Sequence, residues 1–142
     1  MSKGNTFEND LLKLIFNGTA IADIADNDAT SPLTNLYVAL HTADPGEGGD
    51  QTTNEVAYTS YARVAVARTS GGWTVSSNSV SPVANIDFPE CTGSTATATH
   101  FSVGTASSGA GKILYSGEID PDISISTGVI PRIKTGTTIT ED

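Results

Sequence analysis

The strongest constraint on the fold is a run of apolar residues that a turn sequence cuts short. Residues 36–40 are Leu-Tyr-Val-Ala-Leu, and the turn-forming residues Asp44, Pro45 and Gly46 follow shortly after them. The apolar, aromatic and β-branched content of the run predicts a buried strand. Proline fixes its own φ and has no N–H for a β-ladder, whereas glycine tolerates a positive φ, so the chain is expected to turn after this strand.

A second strand-like run of similar length occupies residues 61–68, after an acidic, glycine-rich segment. We predict that these two strands form the central pair of a β-sheet and that the segment between them is a surface loop. A Gly-Gly pair then leads into Trp73, which predicts a hairpin between residues 61–68 and 73–75. Trp73 and Tyr37 are predicted to be core anchors because each lies in a strand-like apolar stretch.

Short strand-like segments separated by turn residues recur along the rest of the chain. They are predicted near residues 83–88, 96–104, 112–119, 123–125, 129–134 and 138–140, and the Ser- and Asn-rich residues 76–81 are predicted to be a loop. Such spacing is typical of a sandwich or barrel. A chain of 142 residues is long enough to form one hydrophobic core without stabilisation by disulfides or metal ions. The predicted fold is therefore mainly β: a single domain over residues 1–142 with an antiparallel β-sandwich or barrel-like, jelly-roll-like architecture.

One helix is expected near the N-terminus, over residues 6–17. Asn5 and Glu8 have the spacing of a capping box, and Gly18 is a plausible stop. Apolar residues recur at helical spacing, namely Phe7, Leu11, Leu14 and Ile15. Their face is expected either to pack on the sheet or to dock on a neighbouring subunit.

The charge of the chain narrows the classes of partner. Its formal net charge is −9, which disfavours binding to nucleic acid phosphates and to anionic membrane surfaces. The more specific expectation is that the chain binds a protein partner with a basic surface. Cys91 is the single cysteine of the chain, so an internal disulfide scaffold is excluded. No apolar run has the length that crossing a bilayer requires.

No residue pattern in the sequence predicts chemistry. The two histidines, His41 and His100, lack the spacing of a zinc site with Cys91, and no nucleophile elbow or phosphate loop occurs. The closely spaced aspartates at 23, 26 and 28 do not match a calcium loop and are expected to serve turns and caps. We therefore predict no catalytic residues, no cofactor, no metal and no enzymatic activity.

Several motifs resemble a family of small bacteriophage virion proteins. The resemblance lies in residues 36–49 and 55–66, and extends to the predicted helix, residues 98–101, residues 113–117 and the closing Ile-Thr-Glu-Asp. Members of that family are often labelled tail-fibre proteins, and some are capsid cement or decoration proteins. The resemblance implies a structural role within a virion that is assembled in the host cytoplasm.

Two functions of different classes follow from this resemblance. The favoured expectation is a capsid cement or decoration protein that binds the major capsid protein, and the alternative is a receptor-binding module of a tail fibre or tail tip. A homo-oligomer is expected, with a trimer favoured, and neither nucleic acid nor membrane is an expected partner. Two groups of residues are candidates for partner contact: the apolar helix residues Phe7, Leu11, Leu14 and Ile15, and the loop carboxylates of Asp44, Glu47 and Asp50.

Overall fold

The computed structural model describes residues 5–21 and 32–141. Within this part of the chain, one helix and nine strands form. They are α1 (Asn5–Asn17), β1 (Asn35–His41), β2 (Val64–Ala67), β3 (Trp73–Ser76), β4 (Ser79–Pro82), β5 (Ile86–Asp87), β6 (Ala96–Gly104), β7 (Ile113–Ile125), β8 (Arg132–Ile133) and β9 (Ile139–Thr140). All described strand pairings are antiparallel. The predicted fold class, mainly antiparallel β with a short N-terminal helix, is confirmed.

The chain forms two compact units that interleave along the sequence. The first contains the described residues up to Asn35, then Val66–Asn85 and the chain from Lys134 to Glu141; the second contains Leu36–Ala65 and Ile86–Ile133. Each unit is therefore assembled from segments that are distant in sequence.

The first unit packs α1 against a three-stranded sheet of order β3-β4-β9. Leu12 and Phe16 lie four residues apart, hence on one face of the helix, and both are fully buried. The ring of Phe16 meets the indole of Trp73 edge-to-face, with 4.8 Å between the ring centroids. Trp73 is therefore a core anchor of this unit, as the sequence predicts.

Arg68 completes the C-terminal end of α1. Its Nε donates to the carbonyl of Ile15 at 2.6 Å, and its Nη2 donates to that of Leu14 at 2.5 Å. The last turn of the helix has no basic residue of its own. A guanidinium from the segment after β2 therefore satisfies carbonyl groups that a helix end leaves without intrahelical partners.

The second unit is built on β1, β6 and β7, which lie side by side in a sheet of order β2-β1-β6-β7. Val38 pairs with Val103, and Leu40 with Phe101, and all four side chains are buried. The short strands β5 and β8 pair as a separate ribbon. The core of this unit thus lies along β1, which is a near-continuous apolar run, and along the buried residues of β6.

Three strand predictions are wrong in detail. The run at 61–68 forms only the four-residue β2, which is an edge strand, so β1 and β6 are the central pair. β3 pairs with β4, which lies largely within residues predicted to be a loop, and does not form a hairpin with the run at 61–68. The predicted strands at 112–119 and 123–125 are one strand, β7, whose pairing with β6 shifts register twice.

Candidate functional site

The acidic loop, defined here as residues 42–54, is a part of the second unit that presents charge to a partner. Asp44 and Glu47 are exposed and Asp50 is half-buried. The loop is internally hydrogen-bonded: the amide of Gly46 donates to Asp44 Oδ1 at 2.8 Å, and the amide of Thr52 donates to Asp50 Oδ1 at 2.7 Å. The carboxylates of Asp44 and Asp50 are therefore held in fixed turns.

His41 anchors the end of this loop to the sheet. The side chain is fully buried at the end of β1, and its Nδ1 lies 2.8 Å from the carbonyl oxygen of Thr53. Because a carbonyl only accepts, Nδ1 carries the hydrogen, and Nε2 accepts from the hydroxyl of Ser102 at 2.8 Å. Burial lowers the pKa of His41 below its usual 6.5, which favours this neutral imidazole.

Gln51 anchors the middle of the acidic loop. Its side-chain amide donates to the carbonyl of Tyr37 at 3.1 Å, and its Oε1 accepts from the amide of Ala106 at 3.0 Å. Gly104 and Gly111 make room for this buried side chain, since a Cβ on either would lie about 2 Å from Gln51 atoms. The sequence therefore needs glycine at both positions for the loop to reach the sheet.

Glu55 and Arg63 tie the loop end to a second loop. The Nε and Nη2 of Arg63 donate to the two carboxylate oxygens of Glu55 at 2.7 and 2.8 Å. Arg63 also donates to the carbonyl oxygens of Ala106 and Gly109, and its side chain is only 2% exposed. Tyr61 donates its hydroxyl hydrogen to the same Glu55 carboxylate at 3.0 Å. Every charged group in this cluster is thus already paired, which is the pattern of a structural anchor.

The electrostatics of the loop favour ionised carboxylates. The hydroxyl and amide of Thr52 hold the pKa of Asp50 below its usual range. Burial raises the pKa of the Tyr61 phenol, so that hydroxyl stays protonated and remains a donor. The Asp50 carboxylate is therefore favoured in its charged form, and the Tyr61 hydroxyl remains a donor beside the loop.

The remaining polar candidates do not converge on a reactive centre. Cys91 is buried, with its Sγ 3.2 Å from the carbonyl of Gly93, and His100 bonds the hydroxyl of Thr99. Among the described residues, no group of His, Cys, Asp and Glu is arranged to hold a metal ion. In the same part of the chain, no helix is long and apolar enough to cross a membrane. The aspartates at 23, 26 and 28 lie outside the described residues.

The helix residues predicted to contact a partner are unequally available. Phe7 is 41% exposed, whereas Leu11, Leu14 and Ile15 are half-buried. The residues that α1 buries completely are Leu12 and Phe16, one position from two of the predicted ones. The structure brings Asp44, Glu47 and Asp50 together on one loop of the second unit, and the helix candidates belong to the first unit.

Comparison with known proteins identifies one family. The model of the family described as Podophage GP4 fiber I protein gp80 matches residues 2–141 of the chain. No curated protein matches the chain. The family match confirms the resemblance to small phage virion proteins that the sequence motifs indicate.

Proposed function

The chain belongs to the Podophage GP4 fiber I protein gp80 family, and we propose that it is a structural subunit of a fibre on a bacteriophage particle. Membership of this family makes it a structural component of a virion. The observation that carries the narrower proposal is the family's own description as a fibre protein. The subunit would act by binding other virion proteins rather than by catalysis.

The acidic loop supports attachment to a basic partner. The carboxylates of Asp44 and Asp50 accept from loop amides, and the anchors His41 and Gln51 hold the loop that carries all three carboxylates. A loop that is already ordered loses less conformational entropy on binding. Exposed ion pairs contribute only about 0–1 kcal/mol each, so the carboxylates would set orientation and association rate more than affinity.

A charge-neutral variant of the loop tests this proposal. Asp44→Asn, Glu47→Gln and Asp50→Asn remove the charge but keep the side-chain oxygens that accept from the loop amides. The matched control is Glu118→Gln, Asp120→Asn and Asp122→Asn, which removes the same charge from exposed positions on β7. Both proteins would be supplied to particles that lack the wild-type chain.

The loop variant is expected to be poorly incorporated into particles and the β7 variant to be incorporated normally, as measured by immunoblotting of purified particles. Both variants should melt like the wild type, because each substitution is at an accessible, unpaired carboxylate or preserves its hydrogen bond. Equal incorporation of the two variants would contradict the assignment of the loop as the contact surface.

A capsid cement function is the second candidate, favoured by a specific observation on the helix. Phe7 is a large apolar side chain that is 41% exposed on α1, where a neighbouring capsid subunit could reach it. Particles lacking the chain would then lose heat resistance yet adsorb to cells normally. A fibre subunit predicts the opposite pair of results: heat resistance retained and adsorption reduced.

A further inference from the structure

The imidazole of His41 has two neutral partners and no counter-ion. It lies between the carbonyl of Thr53 on the acidic loop and the hydroxyl of Ser102 on β6. The carboxylate that faces it, on Glu55, already accepts from Nε and Nη2 of Arg63. His100 lies opposite His41 in the β1–β6 register and adds a second titratable base rather than an acid.

Protonation of His41 in the closed structure would therefore create a buried charge without a counter-ion of its own. The ring is fully buried, and a buried charge is costly unless it is paired and hydrogen-bonded. A protonated Nε2 would donate to the Ser102 oxygen instead of accepting from it, so the hydrogen of this buried hydroxyl would lose its acceptor. Burial is the largest influence on the pKa of His41 and lowers it; the Thr53 bond and the Glu55 charge act in the opposite direction, and the Arg63 charge offsets part of their effect.

Opening of the loop would relieve this cost, because it would separate the imidazole from the Thr53 carbonyl. Two backbone bonds beside His41 hold the loop closed. The amide of Thr42 donates to the carbonyl of Asn54 at 2.8 Å, and Val56 donates to that of Leu40 at 2.9 Å. These bonds close the base of the acidic loop around the imidazole. Separating them admits water to the ring, and a hydrated imidazole recovers its ordinary affinity for protons.

We propose that His41 is a pH-sensitive anchor that holds the acidic loop on the sheet while the ring is neutral and releases the loop on acidification. The sign follows from linkage, since the open loop binds a proton more readily than the closed one. The anchor acts fully above the usual His pKa of 6.5 and weakens as pH falls toward the lowered value of the closed form. Contact with a basic partner through Asp44, Glu47 and Asp50 would weaken over the same range; that consequence alone rests on the proposed function.

Amide hydrogen exchange on the isolated protein tests the anchor without reference to any partner. If only the open loop takes up the proton, the open fraction rises about tenfold from about pH 7.5 to 5.5 and about thirtyfold by about pH 5.0. Protection factors of Thr42, Gln51 and Val56 should fall by these factors, while those of the β1–β6 ladder stay constant. Carboxylates of ordinary pKa, about 3.9–4.3, remain ionised throughout this range.

His41→Gln is the test variant, since an amide can still donate to Thr53 and accept from Ser102 but does not titrate. Its loop protection should be independent of pH. His100→Gln is the matched control, because it removes the other histidine and should leave the wild-type pH dependence intact. Persistence of that dependence in His41→Gln, or its loss in His100→Gln, would overturn the proposal.

The wild-type protein supplies a second measurement that holds even if His41→Gln fails to fold. NMR titration of both imidazoles should show the loop amide signals changing with protonation of His41 and not with that of His100. A constant loop protection in the wild type, or a fall spread evenly over every strand, would equally exclude a local anchor at His41.

Discussion

Replacement of Trp73 by alanine should produce a large loss of stability in the first unit. The side chain is 2% exposed and packs edge-to-face on Phe16. Truncation of a buried aromatic residue typically costs about 3–5 kcal/mol in total, a figure that includes the lost contact with the Phe16 ring. For a chain of 142 residues, the unfolding entropy converts this loss to a fall in Tm of about 10–17 °C.

Trp73→Phe separates the apolar contribution from the polar one. The indole Nε1 is buried and has no hydrogen-bond acceptor among the described residues, and an unsatisfied buried donor costs about 1–3 kcal/mol. Phenylalanine keeps most of the apolar contact and removes that donor. The fall in Tm of Trp73→Phe should therefore be less than half of the fall in Tm of Trp73→Ala. Thermal melts followed by circular dichroism measure both. A Tm of Trp73→Ala within about 3 °C of the wild-type Tm would refute the core assignment, since a shift of that size corresponds to a loss of only about 1 kcal/mol in the free energy of unfolding.

Three further predictions concern the paired arginines and assembly. Arg63→Met should lower the free energy of unfolding by about 3 kcal/mol in urea titrations, because it removes the cation that pairs with the Glu55 carboxylate. The double variant Arg63→Met with Glu55→Gln should recover part of that loss. Equal losses in the single and the double variant would contradict the pairing argument. Arg68→Met should cost about 1–2 kcal/mol through two lost bonds to α1 carbonyls, whereas Lys112→Met, at an exposed position, should cost about 0.5 kcal/mol or less. Light scattering should give the mass of a trimer, and a monomer mass both for purified protein and for protein released from particles would exclude the predicted oligomer.

Strong local patterns were sufficient to predict β1, β6 and α1. β1 contains a continuous apolar run, which has few alternatives to a buried strand, and Thr- and Ala-rich β6 has the strand-forming residues that turn sequences bound on either side. The predicted hairpin between residues 61–68 and 73–75 is wrong, because β3 pairs with β4 across a reversal at residues 77–78 and not with the run before the Gly-Gly pair. Trp73 pairs with Pro82 across a turn in which Ser77 has a φ of 53°, and the Ser- and Asn-rich residues there conceal a strand in which Val80 is the buried apolar residue.

The anchors of the acidic loop had no counterpart in the sequence patterns. Gln51 reaches Ala106, 55 residues away, and a single polar residue in a polar segment gives no periodicity to detect. The run at 61–68 predicts a strand position for Arg63 and gives no sign that its guanidinium binds Glu55 and two carbonyls. The carboxylates of Asp44, Glu47 and Asp50 could be assigned to one surface loop from Asp-Pro-Gly alone, because that turn chemistry is local.

The location of the chain on the particle tests the central claim most directly. Particles would be labelled with a gold-conjugated antibody to this protein and viewed by negative-stain electron microscopy, with particles lacking the chain as the control for specificity. A fibre subunit predicts gold on the fibres and none over the head. Gold distributed evenly over the head surface would contradict the fibre assignment and support capsid cement instead.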